Sequence, residues 1–205
     1  MRPRITVTVF ASIYGVLAAW SAAAEPVRSL LEIRRQQVVV QEWDLSCGAA
    51  ALTTLLRYQH GEDVTEREVA LDVVQRGEYL ANPDLLRLQQ GFSLLDLKRA
   101  VDRRGYSGIG MGRLTLEDLV ANAPAIVPVN LLGYNHFVVF RGQLGNRVLL
   151  ADPAYGNRTM TLARFQQGWI EYPELGRVGF VVARRDGKAV VGALRPRAEE
   201  FLNLR

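Results

Sequence analysis

Gln41-Glu42-Trp43-Asp44-Leu45-Ser46-Cys47-Gly48, running on into Ala49-Ala50-Ala51-Leu52, is the stretch on which the reading of this chain turns. From Cys47 to Gln59 the apolar residues Ala50, Leu52, Leu55 and Leu56 recur at helical rather than alternating spacing, and Gly61 supplies a stop. Ser46 or Asp44 is placed to cap the start. Cys47 therefore stands in the first turn of a helix. A thiol there faces backbone N–H groups without helical partners and the positive end of the dipole, and both favour the thiolate. The N–H of Cys47 is also aimed where an oxyanion would grow on an attacked carbonyl. A second donor to such an oxyanion is usual, and the side-chain amide of Gln41, upstream of the helix, can supply it. Gly48 leaves room for a substrate backbone to approach. The plainer alternative is an ordinary helix with a small buried Cys and a surface Gln. The joint occurrence of Gln, spacing, helix-start Cys and Gly weighs against it.

Upstream, Arg2 and Arg4 precede an uncharged, mostly apolar run from Ile5 to Trp20, and Ala22-Ala23-Ala24 follows with Glu25 and Pro26. That order reads as a secretory signal peptide, residues 1–24, cleaved after Ala24. The apolar run is shorter than the ~20 residues that span a bilayer, so no stable transmembrane span is expected after cleavage. The expected location is the periplasm. About 180 residues then remain, enough for one well-buried domain. Two positive charges leave with the signal, and the formal charge of +4 moves closer to neutral, which gives no argument for nucleic acid. Exported proteins use cysteines in pairs, as disulfides. The single cysteine here is either buried and inert or present for its reactivity.

Downstream, the helical signals continue. Thr65 with Glu68 forms a capping-box pattern ahead of Val69, Leu71 and Val74. Ser93 with Asp96 opens a third helix through Leu94, Leu97 and Val101 to a stop at Gly105. Thr115 with Asp118 opens a short fourth one, ended by Pro124. After Pro124 the pattern changes. Ala125 to Leu132, His136 to Arg141 and Arg147 to Ala151 are apolar and β-prone, with a hairpin connection at Gln143-Leu144-Gly145-Asn146. Thr161 to Trp169 reads as helix and Val178 to Arg184 as a last strand. Val38-Val39-Val40 is either a strand or an extended lead-in. The expected class is α+β, one layer of N-terminal helices against one C-terminal antiparallel sheet. The expected organisation is an N-terminal segment 25–37, a domain 38–185, and a tail 186–205 that Leu194, Phe201 and Leu202 are suited to dock.

A thiol nucleophile needs a base, and the chain offers two histidines. His60 falls at the far end of the Cys47 helix, about 20 Å along its axis. His136 stands at the start of an apolar strand. Asp152 ends the next strand, ahead of Pro153, so the hairpin makes His136 and Asp152 neighbours. A carboxylate on one imidazole nitrogen fixes the tautomer and leaves the other nitrogen for the thiol. Taken singly, His136 also fits a structural histidine and Asp152-Pro153 a turn opener.

Gln41…Cys47-Gly48, His136-Phe137-Val138-Val139 and Asp152-Pro153-Ala154 with Gly156 resemble the bacteriocin-processing (double-glycine) peptidase family of papain-like cysteine peptidases. The likeness runs from about Val38 to Val182, and Phe165 and Trp169 fall where that family often has a helix. The resemblance implies a papain-like fold, Cys47 as nucleophile, His136 as base, Asp152 as orienter and Gln41 as oxyanion donor. Exporter-fused members usually carry Asp directly before the Cys, where this chain has Ser46. With its signal peptide the chain looks more like the stand-alone periplasmic members, among them the protease of the Fap functional-amyloid secretion system.

The expected activity is peptide-bond hydrolysis in a secreted or secretion-linked substrate, with no cofactor and no metal. The resemblance implies a peptide or protein partner, with a secreted amyloid or Gly-rich segment as candidate, and secretion-system components. Two alternatives stay open. A cysteine amidase could use the same triad on peptidoglycan. A non-catalytic domain could bind and chaperone a peptide.

Overall fold

The computed structural model describes residues 28–74, 91–131 and 133–204. The segment read as a signal peptide lies outside these residues. Helix α1 (Leu30–Arg35) opens with a reciprocal Ser29–Glu32 capping box. Val38–Val40 joins no sheet, though Val38 is buried and the Val39 N–H donates to Thr54 Oγ1. Helix α2 (Cys47–Thr54) runs on into π-helical Leu55–Gln59, and every residue of α2 is buried. Helices α3 (Glu66–Val74), α4 (Leu94–Arg103) and α5 (Leu116–Ala121) start at the expected Thr65/Glu68, Ser93/Asp96 and Thr115/Asp118 pairs. In α3 the inward residues are Val69 and Val73, one turn apart. Leu71 falls on the opposite side and is exposed.

The strands are β1 (Tyr106–Met111), β2 (Ala125–Asn130), β3 (Asn135–Leu144), β4 (Arg147–Asp152), β5 (Gly156–Thr161), the short β6 (Glu171–Tyr172) and β7 (Gly176–Arg177), and β8 (Gly179–Arg184). Helices α6 (Leu162–Gly168) and α7 (Ala198–Asn203) complete the described elements. The main sheet has the order β1-β8-β2-β3-β4-β5 and is antiparallel throughout. Its two outer strands, β1 and β5, escape the sequence reading. They carry glycines and polar residues such as Ser107, Gly108, Asn157 and Arg158, which an edge strand tolerates.

The single helical layer expected from sequence covers only half of the sheet. Leu52, Leu56, Val69 and Leu97 pack on one face, against Val139, Ala151 and Phe180. Leu119, Phe165 and Trp169, from α5 and the α6 region, cover the other face at Val127, Val138, Phe140 and Leu150. The unbroken apolar run in β2 records this: a strand buried on both faces does not alternate.

The tail docks on the sheet through residues 194–204. The β3–β4 register shifts between Phe140 and Gly142, and Arg141 at that bulge is fully buried. Its guanidinium donates to Leu194 O (3.0 Å), Asn157 Oδ1 (2.9 Å) and Glu200 Oε1 (2.7 Å). Leu194 and Phe201 are buried as expected, whereas Leu202 is exposed and Leu204 takes the inner position.

Candidate active site

Cys47 opens α2 and is 7% exposed. The start of α2 lies close to β3. A Cβ on Gly48 would meet the Phe137 ring at 3.4 Å and Leu97 and Phe92 at 3.6 Å. These are ordinary packing distances, and Gly48 faces the core beside the histidine strand. It does not open a path for substrate, as the sequence had suggested. Neither expected cap operates. Asp44 lies outside the cap position, and Ser46 occupies it without a side-chain cap bond. The Ser46 hydroxyl is drawn instead to Trp43 O (2.7 Å) and Glu66 Oε1 (2.5 Å).

His136 sits in β3, paired with Val129 of β2. The register Val139–Ala151 continues to set Val138 opposite Asp152, so His136 is the diagonal neighbour of Asp152 on one face. The two side chains meet, with His136 Nε2 donating to Asp152 Oδ1 at 2.8 Å. This leaves Nδ1 for the Cys47 thiol, the other hydrogen-bond partner of the ring. Burial by itself would lower the basicity of His136. Hydrogen bonds to Asp152 and Cys47, together with the charges of both, outweigh it and push the ring up to about 9. The imidazolium is thus the resting form at neutral pH, facing sulfur on one side and carboxylate on the other.

Asp152 is held in turn. Oδ1 also accepts the Ala154 N–H at 2.9 Å, and Oδ2 lies 3.4 Å from Arg158 Nη1. The turn after it closes at Gly156, which has φ +84° and where a Cβ would lie 2.4 Å from Arg34 O. Only glycine fits there. Tyr134 stands edge-on to the His136 ring, with centroids 5.8 Å apart. Arg158 and Tyr134 were not singled out from sequence. Arg158 belongs to the polar edge strand β5, whose position beside β4 has no local signal.

Gln41 is half-buried beside this turn. Its N–H donates to Pro153 O at 2.9 Å, and its side-chain Nε2 donates to Trp43 O at 3.0 Å. One N–H of the amide remains for another acceptor. His60 lies at the far end of the α2 run. It is buried, with Nε2 bonded to Val182 O at 3.1 Å and the ring tilted on Tyr106, and burial lowers its basicity. It has a structural place in the core. A cleft of about 490 Å³ opens at Cys47 and His136, with Phe92, Met111, Phe137 and Leu175 among its walls. Among the described residues no group of His, Cys, Asp and Glu could hold a metal ion, and no helix is long and apolar enough to cross a membrane.

Comparison with known proteins gives the family and the fold. The sequence profile described as "Peptidase C39 family" matches residues 35–173. The chain belongs to the peptidase C39 family. A relative in Pseudomonas aeruginosa, "Probable functional amyloid protease FapD", is 39% identical over 145 residues, 70% of this chain and 61% of the relative. The match thus spans less than two thirds of that relative. Among solved structures, a double glycine motif protease from an AMS/PCAT transporter, in complex with the leader peptide, superposes with a TM-score of 0.56 at 26% identity. It covers 72% of this chain and 90% of the other. The peptidase domain of Streptococcus ComA, a bifunctional ABC transporter, also gives 0.56, at 20% identity over 72% of this chain and 98% of its own, a likeness of fold. The C39 fold is papain-like, as the resemblance of the motifs implied.

Proposed function

We propose that this C39 member is an exported cysteine peptidase that cleaves a peptide bond in a secreted or secretion-linked protein. The observation that carries the reading is His136, bonded through Nε2 to Asp152 and through its other nitrogen to Cys47, at the mouth of an apolar cleft. Thiolate Cys47 attacks the substrate carbonyl carbon. The oxyanion that forms accepts hydrogen bonds from the Cys47 N–H and the Gln41 amide. Imidazolium His136 gives its proton to the leaving amine, and a thioester remains. His136, now neutral, takes a proton from water as the hydroxide adds to the thioester. Collapse releases the carboxylic acid and restores the ion pair.

Cys47 is nearly enclosed, so a carbonyl reaches its sulfur most easily when the flanking residues lack side chains. A Gly-Gly segment suits that approach, while the apolar cleft suits larger side chains beyond it. The double-glycine relative bound to a leader peptide and the functional-amyloid relative support the same substrate class, a Gly-rich stretch of an exported protein. The charge, apolar run and small residues of 1–24 support export to the periplasm.

The test is cleavage of a fluorescence-quenched Gly-Gly peptide by the exported protein, with Cys47→Ser as control and purified peptidoglycan as a competing substrate. Release from the peptide by wild type alone is the expected result. Release by Cys47→Ser, or release from peptidoglycan only, overturns the reading.

A further inference from the structure

Glu66, the first residue of α3, is 4% exposed and lies beneath the segment that leads into Cys47. Oε2 accepts the Glu42 N–H at 3.0 Å, and Oε1 is 2.5 Å from Ser46 Oγ. Ser46 Oγ is also 2.7 Å from Trp43 O. A serine hydroxyl has one proton, and a carbonyl has none to offer. Both short contacts are hydrogen bonds only when Glu66 carries a proton and donates it to Ser46, which then donates to Trp43 O. Burial of Glu66 favours that neutral form, and the nearby Glu42 carboxylate adds to it. Trp43 O is the atom to which the Gln41 amide is anchored. The chain of contacts thus runs from the start of α3 through Ser46 and a single carbonyl to the side chain assigned to the oxyanion.

We propose that Glu66 is a positioning residue, which through Ser46 and the Trp43 carbonyl aims the Gln41 amide at the oxyanion. The inference rests on the peptidase reading above. It acts on transition-state stabilisation and leaves the sulfur itself alone. The thiol draws on His136 and on the backbone N–H groups of α2, whereas this chain of contacts touches α2 only through the side chain of its cap residue, Ser46.

Turnover of the Gly-Gly peptide and alkylation of Cys47 by iodoacetamide, measured side by side, test it. Loss of an oxyanion donor costs about 10²–10³ in turnover, so Gln41→Ala sets the ceiling. Glu66→Met is expected to lower kcat at least about tenfold within that ceiling, with KM changed by less than about threefold. Glu66→Gln, whose amide can both donate to Ser46 and accept from Glu42, should restore most of kcat. Alkylation should proceed at the wild-type rate in all of these variants. In a Gln41→Ala background, Glu66→Met should add little, because both changes remove one interaction. Ser46→Ala cuts the same chain with little loss of volume and should reproduce the pattern if Glu66→Met folds poorly. Multiplicative losses in the double variant, or alkylation slowed in step with turnover, show that Glu66 merely holds the helix start together and overturn the inference alone. A wild-type protein that cleaves no Gly-Gly peptide overturns the peptidase reading, and this inference with it.

Discussion

Replacing Asp152 by Asn isolates what its charge does for His136. Asn keeps an oxygen that can accept from Nε2 and from the Ala154 N–H, so the ring stays oriented. Arg158 loses its partner, and as a partly exposed side chain it can turn to water. The negative charge is gone. In the native protein His136 rises from 6.5 to about 9 against the pull of burial, with the Asp152 hydrogen bond foremost among the raising causes. That difference is on the order of 3 kcal/mol in favour of the protonated ring. A raised histidine is charged below its pKa and loses the charge as pH climbs through it. The native alkaline limb of kcat/KM therefore belongs near pH 9. In Asp152→Asn the limb should fall from about 9 toward 6.5, because burial still lowers the ring while Cys47 still raises it. At pH 8 a ring near 9 is about nine-tenths imidazolium, and one near 6.5 about 3%, so the variant should lose up to about thirtyfold there. At pH 6 both rings are mostly charged, and the same factor should fall below about twofold. The assay is kcat/KM on the Gly-Gly peptide from pH 5.5 to 9.5. An unchanged limb, with one uniform loss at every pH, would show that Asp152 only orients the ring and would refute the electrostatic argument.

Three further outcomes are expected. His136→Ala should abolish turnover, whereas His60→Ala should keep it and lose about 1–2 kcal/mol of stability through its lost bond to Val182 O; a dead His60→Ala with an active His136→Ala would reverse the assignment. Glu200→Ala should destabilise the fold by about 3–5 kcal/mol in denaturant titration, because it leaves the Arg141 guanidinium buried without its carboxylate; a change below ~1 kcal/mol would mean the tail hardly contributes. N-terminal sequencing of the exported protein should begin at Glu25, and an intact Met1 recovered with membranes would turn the signal peptide into an anchor.

What the sequence determined by itself is local. Thr65/Glu68, Ser93/Asp96 and Thr115/Asp118 mark helix starts because a capping box closes within four residues. His136 and Asp152 were legible as neighbours because one hairpin joins their strands, and a hairpin is itself a short-range object. Cys47 could be placed at a helix start because the apolar spacing from Ala50 to Leu56 is local as well. Its meeting with His136 could not be derived that way, and resemblance to a family supplied it ahead of the structure. The tertiary structure alone decided what depends on segments distant in the chain. It set β1 beside β8, covered both faces of the sheet, and docked the C-terminal tail on Arg141. It turned Ser46 from a cap into a link to Glu66, and Gly48 from a substrate opening into a contact with Phe137. Those choices follow from burial. A hydroxyl or a glycine answers to whichever group packing brings against it, and residue spacing along the chain does not record which group that will be.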